Sequence, residues 1–529
     1  MSVRMYRGVL GDCFLLTLRL GGPETFILID CGVLQNIPSG EELKRKLPPE
    51  VVRRVTPERI GKIEAGPDRI QKIVASLLET TGGRIDLVVL THEHYDHLSG
   101  FALAQEQFED PKVIFGRLWL AWTEDPSDPR AVELGARAER AKRALALALA
   151  LGERAPELVG DPGSPLNVVA DLAGFMGLAG QRRTADTPPA SPTGGSSLRT
   201  TADMVNFARQ KAGTERTRYL SPGDVLGPGE ALGLRVYVLG PPRDDGRLRK
   251  DTPSQGAAKE VYLTGSDDAA AVEASVRAEL SRRGLAAAPG RGATTVPAAP
   301  DSPFARPHRR GLQLSDRKDP RRRLKETYDD PKQAERRIED QWLSGVEALA
   351  LKLDSDTNNT SLALALELPD GQVLLFPGDA QVGNWLSWYD QSYPANPRPG
   401  EDAVIAADLL KRVVFYKVGH HGSHNATLKE LGLQKMTSDR LTAAIPVVEA
   451  VAEVQGKGRK TPGAGWAMPY EQLYADLRTR TRDRIVRGDG DPVAERAAFA
   501  AASNGRQAIT LRHEDASGGL WVELTFPVE

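Results

Sequence analysis

The sequence predicts a layered α/β protein with large insertions, and its short apolar runs and the loops that follow them carry that expectation. The run IDLVVL at 85–90 leads directly into the polar segment THEHYDH at 91–97, then a helical stretch at 98–107 and another strand, VIFG at 113–116. Strand, polar loop, helix, strand is the order of an α/β layer. Later runs, SLALALEL at 361–368, QVLLF at 372–376 and VVFYKV at 413–418, are too short for ordinary helices and suit buried strands. The last two lead into GDA and GHHGSHNA, so polar groups again collect at strand ends.

Taken in order, residues 5–30 read as an opening hairpin, MYRGVLGDCFLLTLRL and TFILID around the turn GGPE. A helix follows, in which Ile70, Ile73, Val74, Leu77 and Leu78 share one side and Gly82-Gly83 stops the chain. Residues 129–152, rich in Ala, Leu, Glu and Arg, form a packing helix. The pattern weakens between 163 and 215, where PPASPTGGSS at 188–197 reads as a surface loop. A strand is expected at 234–239, and AAAPGRGATTVPAAPDSP at 286–303 reads as a linker. Helices at 331–351 and 470–480 and the extended segments QAITLR and GLWVELTF complete the expectation.

At 529 residues the chain exceeds one ordinary core. Its 69 basic and 71 acidic residues leave a formal charge of −2, which excludes a global field drawing it to DNA, RNA or an anionic membrane. The basic stretches RPHRR at 306–310 and RKDPRRRLK at 317–325 suit either a solvated insertion or a nucleic-acid contact. Cys13 and Cys31 are too few for a disulfide framework and read as small buried residues on neighbouring strands in a reducing compartment. No apolar run reaches bilayer length, and the start lacks a signal-peptide core, so a cytoplasmic protein without membrane contact is expected.

Six of the eight histidines occupy two short segments, His92, His94 and His97, then His420, His421 and His424. In THEHYDH, His92 and His94 can project together while Asp96 and His97 turn into a neighbouring position. Neutral imidazoles with a hard carboxylate suit zinc, manganese or iron. The bland alternative, histidines capping a helix or filling a buried polar network, does not account for the combined spacing. Asp379 in LLFPGDA is the distant carboxylate, whose two oxygens could bridge adjacent cations. His420 would close the second metal position, His421 would face substrate and assist proton transfer, and His424 would stand behind them. The expected cofactor is one or two divalent ions, zinc first and manganese second.

These residues resemble the metallo-beta-lactamase superfamily, and within it the hydrolase domain of bacterial DNA-uptake competence proteins and their stand-alone soluble relatives. The matching pieces are GDCFLL at 11–16, ILIDCG at 27–32, THEHYDHLSG at 91–100, NNTSLALAL at 358–366, LLFPGDA at 374–380 and KVGHHGSHNA at 417–426. The resemblance implies an αββα sandwich with large insertions. Residues 1–162 would be the first half of the core, 163–355 a partly ordered insertion with a core-like strand region at 220–241, and 356–529 the second half with C-terminal elements. It maps His92, His94, Asp96, His97, Asp379 and His420 onto metal-binding positions, gives Asp96 a catalytic role beside His421, and makes Asp30 a supporting residue. The histidine that many members carry before the bridging aspartate is missing, and Asn358-Asn359 stands near that position, so Asn359 becomes a supporting residue or an altered ligand.

The expected function is a metal-dependent hydrolase, a phosphodiesterase or nuclease using metal-activated hydroxide, with nucleic acid or another phosphodiester as substrate. The competing readings are a small-molecule amide, ester or thioester hydrolase and a non-catalytic, metal-stabilised interaction or sensing module. A protein partner in a defence, repair or uptake assembly is compatible with the loops, although no motif names it.

Overall fold

Alternation along one strand, Cys13–Leu18, sets the layers. Phe14, Leu16 and Leu18 point into a core shared with a second sheet, whereas Leu15 points into a core shared with helices. The computed structural model describes residues 1–35, 37–47, 49–55, 60–159, 164–178, 200–250, 269, 272–273, 275–277, 341–394, 403–455, 465–502, 508–515 and 519–527. The segments 188–197, 286–303, 306–310, 317–325 and 331–340, including both basic stretches, lie outside them.

The first sheet contains β1 (Ser2–Tyr6), β2 (Cys13–Leu18), β3 (Thr25–Cys31), β4 (Leu87–Val89), β5 (Leu118–Ala121) and β6 (Thr217–Leu220) as neighbours in that order. The pairs β1–β2 and β2–β3 are antiparallel, and from β3 onward each strand runs parallel to the next. The second sheet runs from β7 (Val225–Leu226) through β8 (Arg235–Gly240), β9 (Ala363–Glu367), β10 (Val373–Phe376), β11 (Val413–Lys417) and β12 (Thr442–Ile445) to β13 (Ile485–Arg487). Its strands β10 to β13 are parallel. Two C-terminal strands, β14 (Thr510–His513) and β15 (Trp521–Thr525), extend the first sheet beyond β1.

Between the sheets, Phe14, Ile27, Ile29, Val89 and Trp119 meet Val238, Leu364, Leu374, Phe376 and Phe415. Each such side chain contributes about 1.5–3 kcal/mol on burial. On the outer face, Leu15, Leu28 and Val88 pack on α1 (Gly66–Thr81) and α2 (Tyr95–Leu103) through Ile70, Ile73, Leu77, Leu98 and Phe101. Helix α1 stops at Gly82, whose φ of 61° suits a residue without Cβ. The architecture is therefore an αββα sandwich with additional helical elements.

One addition is a helical cluster in which Ala144, Leu145 and Ala148 of α3 (Pro129–Arg154) and Leu166 and Val169 of α4 (Pro165–Ala173) pack on Val346, Ala350 and Leu353 of α6 (Gln341–Asn359). Helix α4 and α5 (Thr201–Ala212) occupy the stretch where the apolar pattern weakens. Helix α5 is marked by a capping box, Thr200 accepting from the Asp203 backbone and Asp203 from the Thr200 backbone.

Two local expectations change. The opening hairpin is three strands, because the chain turns between Tyr6 and Cys13, where Gly8 and Gly11 have φ of 77° and 154°. The run at 85–90 divides at Asp86, and Ile114–Phe115 pairs with Arg84–Ile85 in a small separate sheet, so β5 is the neighbour of β4. The buried cysteines do face one another on β2 and β3 as Cα partners, and both are free thiols. No described helix is long and apolar enough to cross a membrane.

Candidate metal centre

The polar groups gather where β3, β4, β10 and β11 end on one edge of the sandwich. Strand β3 delivers Asp30 in the left-handed region, φ 55°, an uncommon conformation for a residue with a side chain. Its carboxylate accepts from Thr91 N at 2.8 Å and Thr91 Oγ1 at 2.6 Å, and lies 2.8 Å from His97 Nδ1. Asp30 thereby fixes both the loop after β4 and the His97 ring. Gly32 follows, and a Cβ there would run into the Asp96 carbonyl, so glycine lets the two loops touch.

The loop after β4 places His92 Nε2 3.1 Å from His94 Nδ1, while Thr91 Oγ1 sits 3.1 Å from His92 Nδ1. His94 caps α2, which turns Asp96 and His97 inward in its first turn. After β10, Gly378 at φ 58° turns the chain so that Asp379 faces His97, with Oδ2 3.2 Å from Nε2. Asp379 Oδ1 is taken by Lys417 Nζ and by His420 N, each at 2.8 Å. With Oδ1 engaged by two donors, Oδ2 is the oxygen turned to the cluster.

Beyond β11, His420 and His421 both adopt positive φ, 43° and 52°. Such strain persists only where the surroundings enforce it. The turn sends His421 into the cluster, Nε2 2.8 Å from Asp96 Oδ2 and Nδ1 2.8 Å from Pro446 O. Asp96, His97, Asp379 and His421 thus bring one ligand-capable atom each within 4.8 Å of the others, and Asp12, Asp30 and His97 form an overlapping group. Of the two neighbouring histidines, His421 enters the compact group, while His420 lies beside it with its backbone N–H on Asp379. His92 and His94 stand next to it, the rings of His92 and His97 4.2 Å apart.

Burial and charge pull the imidazoles apart. Burial, aided by the neighbouring His97, holds His92 well below the usual histidine range, and burial takes His94 down to about 3. His97 is pushed well above that range despite burial, because Asp379, Asp12, Asp96 and Asp30 surround it. Asp379 is held well below the carboxylate range although burial opposes it, through Lys417 and His97.

A cation fits this donor set. Among the described residues, the buried atoms Asp96 Oδ1, Asp12 Oδ1 and His420 Nδ1 have no hydrogen-bond partner. Buried polar atoms in folded proteins are almost always satisfied, so partnerless atoms in and beside this compact group fit a bound ion. Residues 6–199 match the family model of the metallo-beta-lactamase superfamily. That match covers the stretch carrying Asp12, Asp30 and the 91–97 loop. No curated protein and no solved structure matches it.

The two remaining supporting candidates are placed differently. Asn359 turns away from the cluster, its Oδ1 accepting from Gln381 N and Asn384 N and its Nδ2 donating to Lys250 O, so it braces the loop after Asp379. His424 is exposed, its ring 6.1 Å from that of Tyr470. Three buried residues at the site were not singled out from the sequence: Asp12, Lys417 and Asp354. A lysine ending the apolar strand VVFYK is the legible signal for Lys417, which also pairs with Asp12. Asp12 lies inside GDCFLL, whereas nothing in the sequence distinguishes Asp354 from the other acids of α6.

Proposed function

We propose that the chain is a metal-dependent hydrolase of phosphodiesters, with nucleic acid as its substrate class. The observation that carries the hydrolytic reading is the buried group Asp96, His97, Asp379 and His421, whose ligand atoms lie within 4.8 Å of one another around partnerless oxygens and nitrogens. The phosphodiester reading is supported by the motifs resembling the competence-protein hydrolases and by the basic residues between 306 and 325.

A divalent cation bound there lowers the proton affinity of water and polarises the bond under attack. The chain's own residues hold the geometry. Pro446 O accepts the Nδ1 proton of His421 and so leaves Nε2 as the ligand nitrogen, just as Asp30 engages Nδ1 of His97 and leaves its Nε2. Lys417 neutralises Asp12 and Asp379 and keeps Asp379 Oδ1 from rotating into the centre. We assign His421 to the second cation position and His420, which burial lowers to about 4 and so leaves neutral, to contact with the substrate beside it. His420 is 9% exposed against 0% for His421, and its Nδ1 has no partner among the described residues.

The test is metal titration of the apo-protein, read by cleavage of circular and end-labelled linear DNA and RNA. A double substitution, His94→Ala with Asp379→Ala, serves as the control. Cleavage that needs metal, is lost in the double variant and weakens steeply with salt is expected. Turnover confined to small amides, esters or thioesters would replace the substrate class, and stoichiometric metal without turnover would make the chain a metal-stabilised module.

A further inference from the structure

His94 has two ring nitrogens, and the site gives each a different neighbour. Nδ1 lies 3.1 Å from Nε2 of His92, whose own Nδ1 is beside Thr91 Oγ1. The two inward nitrogens of this pair are therefore His92 Nε2 and His94 Nδ1. A cation held by this pair would take both lone pairs, which would leave the His94 proton on Nε2. That atom is buried and, among the described residues, has no hydrogen-bond partner. Its ionisable neighbour is Asp354, with Oδ1 at 3.7 Å, also buried and also without a partner among the described residues.

Asp354 stands on α6, which the apolar cluster around Val346, Ala350 and Leu353 holds against α3 and α4. One turn later, Asn358 Nδ2 donates to Asp354 Oδ2 at 3.3 Å and steadies the carboxylate from behind. Asn358 is fully buried, so its grip is on the protein side rather than on solvent. Two unsatisfied polar atoms facing each other across slightly more than hydrogen-bond distance cost free energy as long as they stay unmade. A small shift of either ring or helix closes the gap.

We infer that Asp354 is the positioning residue of the His92/His94 cation position: its carboxylate accepts the Nε2 proton of His94, fixing the ring with Nδ1 toward the metal. This rests on the metal-dependent reading above and extends it to a helix outside the histidine motifs. It gives the chain a support at the position that lacks the third histidine. Metal-bound histidines regularly pass their second ring proton to such an acceptor, and removing the acceptor typically weakens metal binding ~10- to 100-fold.

The experiment compares wild type, Asp354→Asn and His94→Ala, and the pair combined, as full-length apo-proteins titrated with cobalt(II) in competition with a chelator. Wild type is expected to bind cobalt with a weaker step that His94→Ala removes. Asp354→Asn should weaken that same step ~10- to 100-fold, leave the other step unchanged, and add nothing in the His94→Ala background. Nitrogen-15 NMR of the wild-type protein loaded with zinc should show His94 with its proton on Nε2, a readout that needs no variant to fold. An unchanged cobalt step in folded Asp354→Asn, or a proton on His94 Nδ1, overturns the inference and leaves the hydrolase reading standing. Failure of wild type to bind any divalent ion overturns the hydrolase reading itself.

Discussion

The Lys417 ammonium and the Asp379 carboxylate form an ion pair at 2.8 Å with both side chains 1% exposed. Asp12 contacts the same ammonium, so one buried cation serves two buried acids. Replacing Lys417 by Met strands both carboxylates in the interior, and loss of one partner of such a group costs about 3–5 kcal/mol. Denaturant unfolding of the apo-protein should show that loss, and saturating divalent cation should recover part of it by supplying positive charge. Equal losses with and without metal would contradict the electrostatic account.

Asp30 accepts from Thr91 and faces His97 Nδ1. In Asp30→Asn an amide replaces one of these acceptor oxygens and removes the negative charge beside His97. Metal affinity should fall ~10- to 100-fold while the fold survives. Metal content after dialysis, set against the circular dichroism of the same sample, measures both.

At Gly32 a methyl group would collide with the backbone of Asp96. Because backbone cannot rotate aside as a flexible side chain does, Gly32→Ala should cost at least about 1–3 kcal/mol. It should also displace the first turn of α2, so weakened metal binding should accompany the lower midpoint. A midpoint equal to that of wild type would show that the two loops have slack.

Away from the centre, burial and then the neighbouring Glu93 push the Glu124 carboxyl from 4.5 up to about 8, against the pull of Arg209 and Lys142. A carboxyl raised by folding stabilises the native state below its unfolded value and loses that contribution as pH rises toward the folded one. Wild type and Glu124→Gln should therefore match near pH 4, and the variant should become the more stable by a few kcal/mol, on the order of 4 at most, by pH 8. Paired unfolding curves across this range test it, and a constant difference would refute it.

Much of this was legible because the signals were local. The runs at 361–368, 372–376 and 413–418 became strands since nothing but a sheet buries so short an apolar segment on both faces. The expectation that polar loops after β4, β10 and β11 would converge followed from the same pattern, and the structure brings them together. The choice between His420 and His421 was not legible, because two successive left-handed residues decide which ring turns inward and their sequence neighbours do not announce it. Asp354 was hidden for a different reason. Its significance comes from a helix docked through Val346 and Ala350, a long-range contact without local periodicity of its own. The break at Asp86 was missed because an apolar run hides a switch between sheets.

Strand β1 is bracketed by β2 on one side and β15 on the other, pairing Ser2 with Thr17 and also with Thr525. This strand must therefore wait for a stretch made hundreds of residues later before its second edge is covered. Strictly sequential folding of this sheet is blocked, and a nascent chain holds an open template for strand addition until that later stretch is made.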